Sequence, residues 1–120
     1  MKSLYISNAS NSGKSYAHLI VSGKKTIEVR KHNTGIRGRI GIVDGKGNLL
    51  GTTELYKVES PFTAKELSKM KGHCSTEKRM QKYSKGKKCL YAWHLKNAKK
   101  AKKPKKIRLK FRNQWDWIGV

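Results

Sequence analysis

The stretch SGKKTIEVRK, residues 22–31, decides how this chain is read. Its first half closes one element and its second half opens another. Gly23 follows SYAHLIVS, in which Tyr16, Leu19 and Ile20 recur at helical spacing, so it falls at the C′ position of a helix running from about Ser12 to Ser22. TIEVR then alternates strictly. Residues two apart in a strand share a face, so Ile27 and Val29 are predicted to face the core while Thr26, Glu28 and Arg30 line the other side. Lys24 and Lys25 fall at the rim where helix becomes strand. Electrostatically, Glu28 is out of place: it stands among four cations, Lys24, Lys25, Arg30 and Lys31, in a chain of formal charge +22. A surface that only coats a polyanion is better without a carboxylate, which repels the phosphates its neighbours attract. Glu28 is therefore expected to have a local job.

Outward from this stretch, the same two periods organise the chain. KSLYIS (2–7) reads as a short strand, and RIGIVD (39–44) and LLGTTELYKV (49–58) alternate around Asp44, Gly45, Lys46, Gly47 and Asn48, a hairpin signal. TAKE (63–66) fits a capping box that opens a helix toward Met70, and a second basic helix is expected over about 76–83, with Gly72 between them. CLYAWHL (89–95) and KIRLKF (106–111) return to strand. Five or six short strands interrupted by helices, without regular βαβ alternation, favour the α+β class with a small curved sheet or open barrel. At 120 residues one domain spanning 1–120 is expected, and no internal repeat is visible.

Charge narrows the function. Residues 1–60 carry 10 basic and 4 acidic side chains, residues 61–120 carry 19 and 3, so the excess lies in the second half. Residues 96–112 hold ten cations and no acid, a basic C-terminal stretch suited to phosphates. There is no apolar run approaching about 18 residues and no basic-then-apolar leader, so no membrane partner is expected, and the protein is placed in the cytoplasm, or at nucleoid or nucleus through nucleic acid. Cys74 and Cys89 are read as free thiols.

The residues SYAHLIVSGKKTIEVR, RGRIGIVD, GTTELYKVESPFTAKEL and YAWHLKNAKKAKKP, with a C-terminal Trp, resemble an ASCH domain, the activating-signal-cointegrator homology family of the PUA-like superfamily. The resemblance runs from about Tyr16 to Trp117, and its most specific element is G-x-K-x-x-E-x-R, here Gly23, Lys25, Glu28 and Arg30. It implies a PUA-like small curved β-barrel with flanking helices. It also implies a cleft at the motif that serves RNA binding, nucleic-acid processing or coactivation. Some small ASCH proteins resemble amidohydrolases of acetylated cytidine, which use a threonine where Glu28 stands, and that activity is disfavoured.

The resulting expectation is a monomeric nucleic-acid-binding domain, RNA or single strands favoured over duplex DNA. Lys24, Lys25, Glu28, Arg30, Arg37 and Arg39 are assigned to a nucleotide cleft; Lys78, Arg79 and Lys82 assist a phosphate surface. That surface comprises Lys99, Lys100, Lys102, Lys103, Lys105, Lys106, Arg108, Lys110 and Arg112. Trp93 is expected in the core, whereas Trp115 and Trp117 share a face, one closing the barrel and the other offered to a base, with Trp115 as the base platform or a gap-filler. One alternative is a ribonuclease or nucleoside-modifying hydrolase in the same cleft, with Lys25 and Glu28 catalytic and His32 and Tyr16 as further candidates. Another is a small interaction module of a virus or mobile element with a protein partner.

No cofactor or metal is expected. His73, Cys74, Cys89 and His94 lack the close pairs of a zinc site, and Asp44, Glu54 and Glu59 show no obvious convergence. NSGKS (11–15) lacks the first glycine of a phosphate loop.

Overall fold

Strand alternation, caps and turn chemistry account for the order of elements. The computed structural model describes residues 2–6, 15–73, 75–85, 90–107 and 117–119. Over these the chain runs β1 (Lys2–Ile6), α1 (Tyr16–Val21), β2 (Ile27–Arg30), β3 (Gly38–Asp44), β4 (Asn48–Phe62), α2 (Ala64–Ser68), α3 (Glu77–Ser84), β5 (Leu90–Lys106) and β6 (Trp117–Gly119). Ser15 caps α1 by accepting from the His18 N–H, and Gly23 follows the C-cap at φ 84°, a conformation that costs glycine little. Residues 7–14, where the sequence reading began this helix, lie outside the described residues. Thr63 and Glu66 form the reciprocal capping box of α2, and Thr76 caps α3. At the β3–β4 turn, Asp44 accepts from the Lys46 and Asn48 N–H groups, and burial, which works to raise its carboxyl, is outweighed by those bonds, so it titrates below its ordinary value.

The strands form one six-stranded sheet in the order β2-β5-β4-β3-β1-β6. β1 lies parallel to β3 and every other neighbouring pair is antiparallel. β2 and β6 are the edges, so the α+β fold is an open curved sheet with flanking helices. One core packs α1 against the sheet through Leu19, Ile20, Ile40, Leu55, Trp93 and Leu95. On the opposite face Ile27, Leu90 and Ala92 meet Ala64 and Leu67 of α2 and Met80 of α3. Alternation along β5 explains the split, because Tyr91, Trp93 and Leu95 face one way and Leu90 and Ala92 the other. No described helix is long and apolar enough to cross a membrane.

Two strands exceed their expected lengths. β4 continues past Val58 to Phe62, and β5 continues past Leu95 through the front of the basic stretch to Lys106. Pairing overrides the low strand propensity of lysine, because residues 96–106 are held by hydrogen bonding to β4 from Asn48 to Glu54. Their register slips at several points, and Gly51 permits one close approach: a Cβ there would lie 2.2 Å from the Lys99 carbonyl oxygen.

Candidate nucleic-acid interface

The short turn between α1 and β2 directs Lys25 inward. Its backbone N–H donates to the Leu19 carbonyl, and the residue is 2% exposed rather than at the rim expected from sequence. Such a burial requires compensation, since an unpaired buried ammonium is strongly disfavoured. Three groups supply it. The Lys25 Nζ donates to the His73 carbonyl, lies 3.7 Å from Glu28 Oε1, and stands 4.5 Å from the centre of the Tyr16 ring.

Glu28 is itself 5% exposed. On its other side the Arg30 Nε donates to Oε2 at 2.9 Å and Nη2 lies 2.8 Å from the same oxygen, while Nη2 also donates to the Tyr5 carbonyl. The carboxylate is thus bracketed by two cations. The guanidinium of Arg30 lies 5.9 Å from the Trp93 ring, whose Nε1 donates to the His32 carbonyl. This is the local job of Glu28: it is the counter-ion that lets two cations enter the protein beneath an open cleft.

The cleft, of about 360 Å³, opens around the β2 edge between α1 and α3. Its lining comprises Tyr16, Lys25 and the β2 residues Glu28, Val29 and Arg30, together with Met80, Lys82 and Tyr83 of α3. Arg79 and Ser75 complete it: the Tyr16 hydroxyl donates to Ser75 Oγ at 3.1 Å and accepts from Arg79 Nη1 at 3.2 Å. Ser75 is positioned by its N–H, which donates to His73 Nδ1. Burial, with the charge of Lys25, holds His73 below its ordinary value against bonds to the Ser68 and Met70 backbone. Tyr83 is flanked by Lys31, whose Nζ lies 4.8 Å from the ring centre.

Of the cations assigned from sequence, Lys25, Arg30, Arg79 and Lys82 line the cleft that Glu28 also lines, and the first two contact its carboxylate. Lys24 and Lys78 are exposed and do not line the cleft, and Arg37 donates to the Thr34 and Ile36 carbonyls of its own loop. Arg39 reaches across the sheet instead, to Thr52 Oγ1 and the Asn97 carbonyl. Lys99, Lys100, Lys102, Lys103, Lys105 and Lys106 are exposed along β5. Arg108, Lys110, Arg112 and Trp115 lie outside the described residues, as do Cys74 and Cys89. Trp117 begins β6, which pairs with β1.

Among the described residues no group of His, Cys, Asp and Glu is placed to hold a metal ion. Asp44, Glu54 and Glu59 serve three separate local contacts, with the hairpin, Lys96, and Lys57 with His94. Sequence reasoning missed Ser75 and Tyr83. The signal for Tyr83 was present, since Arg79, Lys82 and Tyr83 fall at i, i+3 and i+4 on one helical face.

A family model described as the ASCH domain matches residues 13–105. Among solved structures, the ASCH protein of Zymomonas mobilis superposes with a TM-score of 0.74 at 20% identity, over 98% of this chain and 87% of that one. Two single-residue variants of that protein superpose with TM-scores of 0.74 at 21% identity, covering 100% and 91% of the two chains, and 0.72 at 22%, covering 98% and 87%. Likeness at this identity carries the fold. No curated protein matches the chain.

Proposed function

The chain belongs to the ASCH-domain family, and from that premise we propose that it binds nucleic acid, taking a nucleotide of RNA or of a single strand into the cleft while β5 holds phosphates. The observation that carries this reading is the composition of the cleft: a buried, charge-compensated carboxylate at its floor, with mobile-stemmed cations and an aromatic ring at its mouth. Each has a part. Arg30 occupies Glu28 Oε2 twice, so Oε1, which faces Lys25 at 3.7 Å, keeps acceptor capacity for an exocyclic amino group of a base. Arg79 and Lys82 offer donors to phosphate, Arg79 through a planar fork and Lys82 as a point charge. Tyr83 supplies a face for stacking. Beyond the cleft, the exposed lysines of β5 contribute affinity without base preference.

Binding of labelled single-stranded RNA and DNA, followed by anisotropy across ionic strength, tests this reading. Contact with six to ten phosphates gives a loss of roughly 10³–10⁵ in affinity between 50 and 200 mM salt. Arg79→Ala and Lys82→Ala should weaken binding without unfolding the protein, because both side chains are exposed. A flat salt response, or full affinity in both variants, refutes it.

A second reading, favoured by one observation, is a nuclease or nucleoside-modifying hydrolase in the same cleft. The Tyr16 hydroxyl is held between a guanidinium donor and a serine hydroxyl, an arrangement able to hand a proton to a reacting oxygen. Lys25 and Glu28, the catalytic pair expected from sequence for this alternative, stand 3.7 Å apart and line the same cleft. A denaturing-gel time course of end-labelled strands, run with chelator and beside Tyr16→Phe, separates the readings: cleavage lost in that variant supports the enzyme, and intact strands support a binding module.

A further inference from the structure

On the sheet face opposite α1, α2 and α3 cover Leu90 and Ala92, and further along that face of β5 His94 is partly buried and Lys96 exposed. There the β4–β5 register slips. Leu55 pairs with Leu95 and Lys57 with His94, so Tyr56 is an extra residue on β4 with no partner of its own. The slip changes where side chains go. Leu55 is fully buried and Val58 packs on the same core, yet Tyr56 and Lys57 between them both project to solvent, and the Tyr56 ring is left 46% exposed. A bulge re-aims a side chain at a cost in ladder bonds. Here it turns an aromatic ring outward. Lys96 Nζ stands 4.7 Å from the ring centre, and the His94 ring lies 6.0 Å away at 52°.

Resting on the nucleic-acid reading above, we infer that Tyr56, flanked by Lys96 and His94, is a second base-stacking platform, and that a single-stranded polynucleotide runs from it along β5. Charge complementarity along the rest of β5 selects this occupant, since at the ring itself Glu54 and Glu59 already meet Lys96 and His94. Beyond Lys96 the strand presents Lys99, Lys100, Lys102, Lys103, Lys105 and Lys106 and no acid. Among the described residues β2 pairs with β5 only from Tyr91 to His94, so this segment forms an open sheet edge. Lysines and a proline along an edge also deter strand addition. That role explains Lys99 to Lys106 and Pro104 but gives no reason for an outward tyrosine. A stacking ring at the head of a cationic track is the arrangement that single-strand binders use without sequence preference.

The test is anisotropy of fluorescein-labelled oligo(U) and oligo(dT), each about 12 nucleotides long, at low and moderate salt. Tyr56→Ala should weaken binding roughly 5- to 150-fold, by the same factor at both salt concentrations, because no counterion is released by stacking. Tyr56→Phe should bind as the parent does, and the urea midpoint should be unchanged in both variants. Equal affinity of Tyr56→Ala and the parent, or equal loss in the alanine and phenylalanine variants, overturns the platform and leaves the cleft reading intact. Loss in Tyr56→Ala with full affinity in both Arg79→Ala and Lys82→Ala keeps the platform and overturns the cleft. A parent protein that binds neither oligonucleotide overturns both.

Discussion

Replacing Glu28 by Gln should destabilise the fold severely, and the structure sets the size of the effect. Lys25 and Glu28 are 2% and 5% exposed, and Arg30 donates to the same carboxylate. Removing one partner of a buried ion pair leaves an uncompensated charge and costs about 3–5 kcal/mol, a large part of the 5–15 kcal/mol or so that holds an ordinary domain. Solvent would screen a surface pair to about 0–1 kcal/mol, so the two environments give distinguishable answers. With an m-value of about 2 kcal/mol per M, the urea midpoint should fall by roughly 1.5–2.5 M. The assay is equilibrium unfolding of the parent, Glu28→Gln, Lys25→Met and the double variant. Removing both charges takes away the Lys25 orphan while Arg30 still loses its carboxylate, so the double variant should be more stable than the sum of the singles predicts, with a coupling of about 0.5–3 kcal/mol, yet less stable than the parent. A loss below about 1 kcal/mol in Glu28→Gln refutes the buried-cage account.

His73 and Gly51 give two further outcomes. The folded state holds His73 below its ordinary value of 6.5, so the unfolded chain takes up a proton more readily, and stability present above about pH 6.5 should drain away as pH falls through that value toward the lower folded one. The slope is at most about 1.4 kcal/mol per pH unit; urea midpoints at pH 7.5 and 5.5 measure it, and His73→Asn should flatten it. Gly51→Ala would set a Cβ 2.2 Å from the Lys99 carbonyl and 3.0 Å from Lys100 Cα, both backbone atoms that cannot swing aside, so a loss of about 1–3 kcal/mol is expected. A melting temperature equal to the parent's would show that β5 is not held against β4 as described.

The parts of the fold that rest on local rules were legible in the sequence. The strand over Ile27 to Arg30, the Asp44 to Asn48 turn, the Thr63–Glu66 box and Gly23 each act within a few residues, and each recurs in the structure, although burial along that strand does not alternate because Glu28 is enclosed as fully as Ile27. What escaped depends on distant partners. Lysine-rich residues 96–106 have no strand signal of their own and are extended because β4 pairs with them. The burial of Lys25 was hidden because a lysine beside a turn ordinarily points to water, and the carbonyl that accepts from it, that of His73, lies far away in sequence. Tyr56 escaped for a similar reason: a bulge is a mismatch between two strands, and one strand read alone alternates through it.

The distribution of acids follows a single logic. Of the seven, Glu28 neutralises buried cations, Asp44 ties the β3–β4 turn, Glu54 and Glu59 meet Lys96 and Lys57 across or along the sheet, Glu66 closes a capping box, and Glu77 opens α3 within reach of Ser68. Each described acid is therefore engaged by a neighbouring group, and the lysines from Lys99 to Lys106 are left without one nearby in sequence. A chain selected only for solubility would have no need to separate its charges in this way, since interspersed acids serve that purpose as well. Residues 99–106 of β5 thus carry cations and no acid, and a positive field of that kind raises the rate of encounter with any polyanion and falls as salt is added.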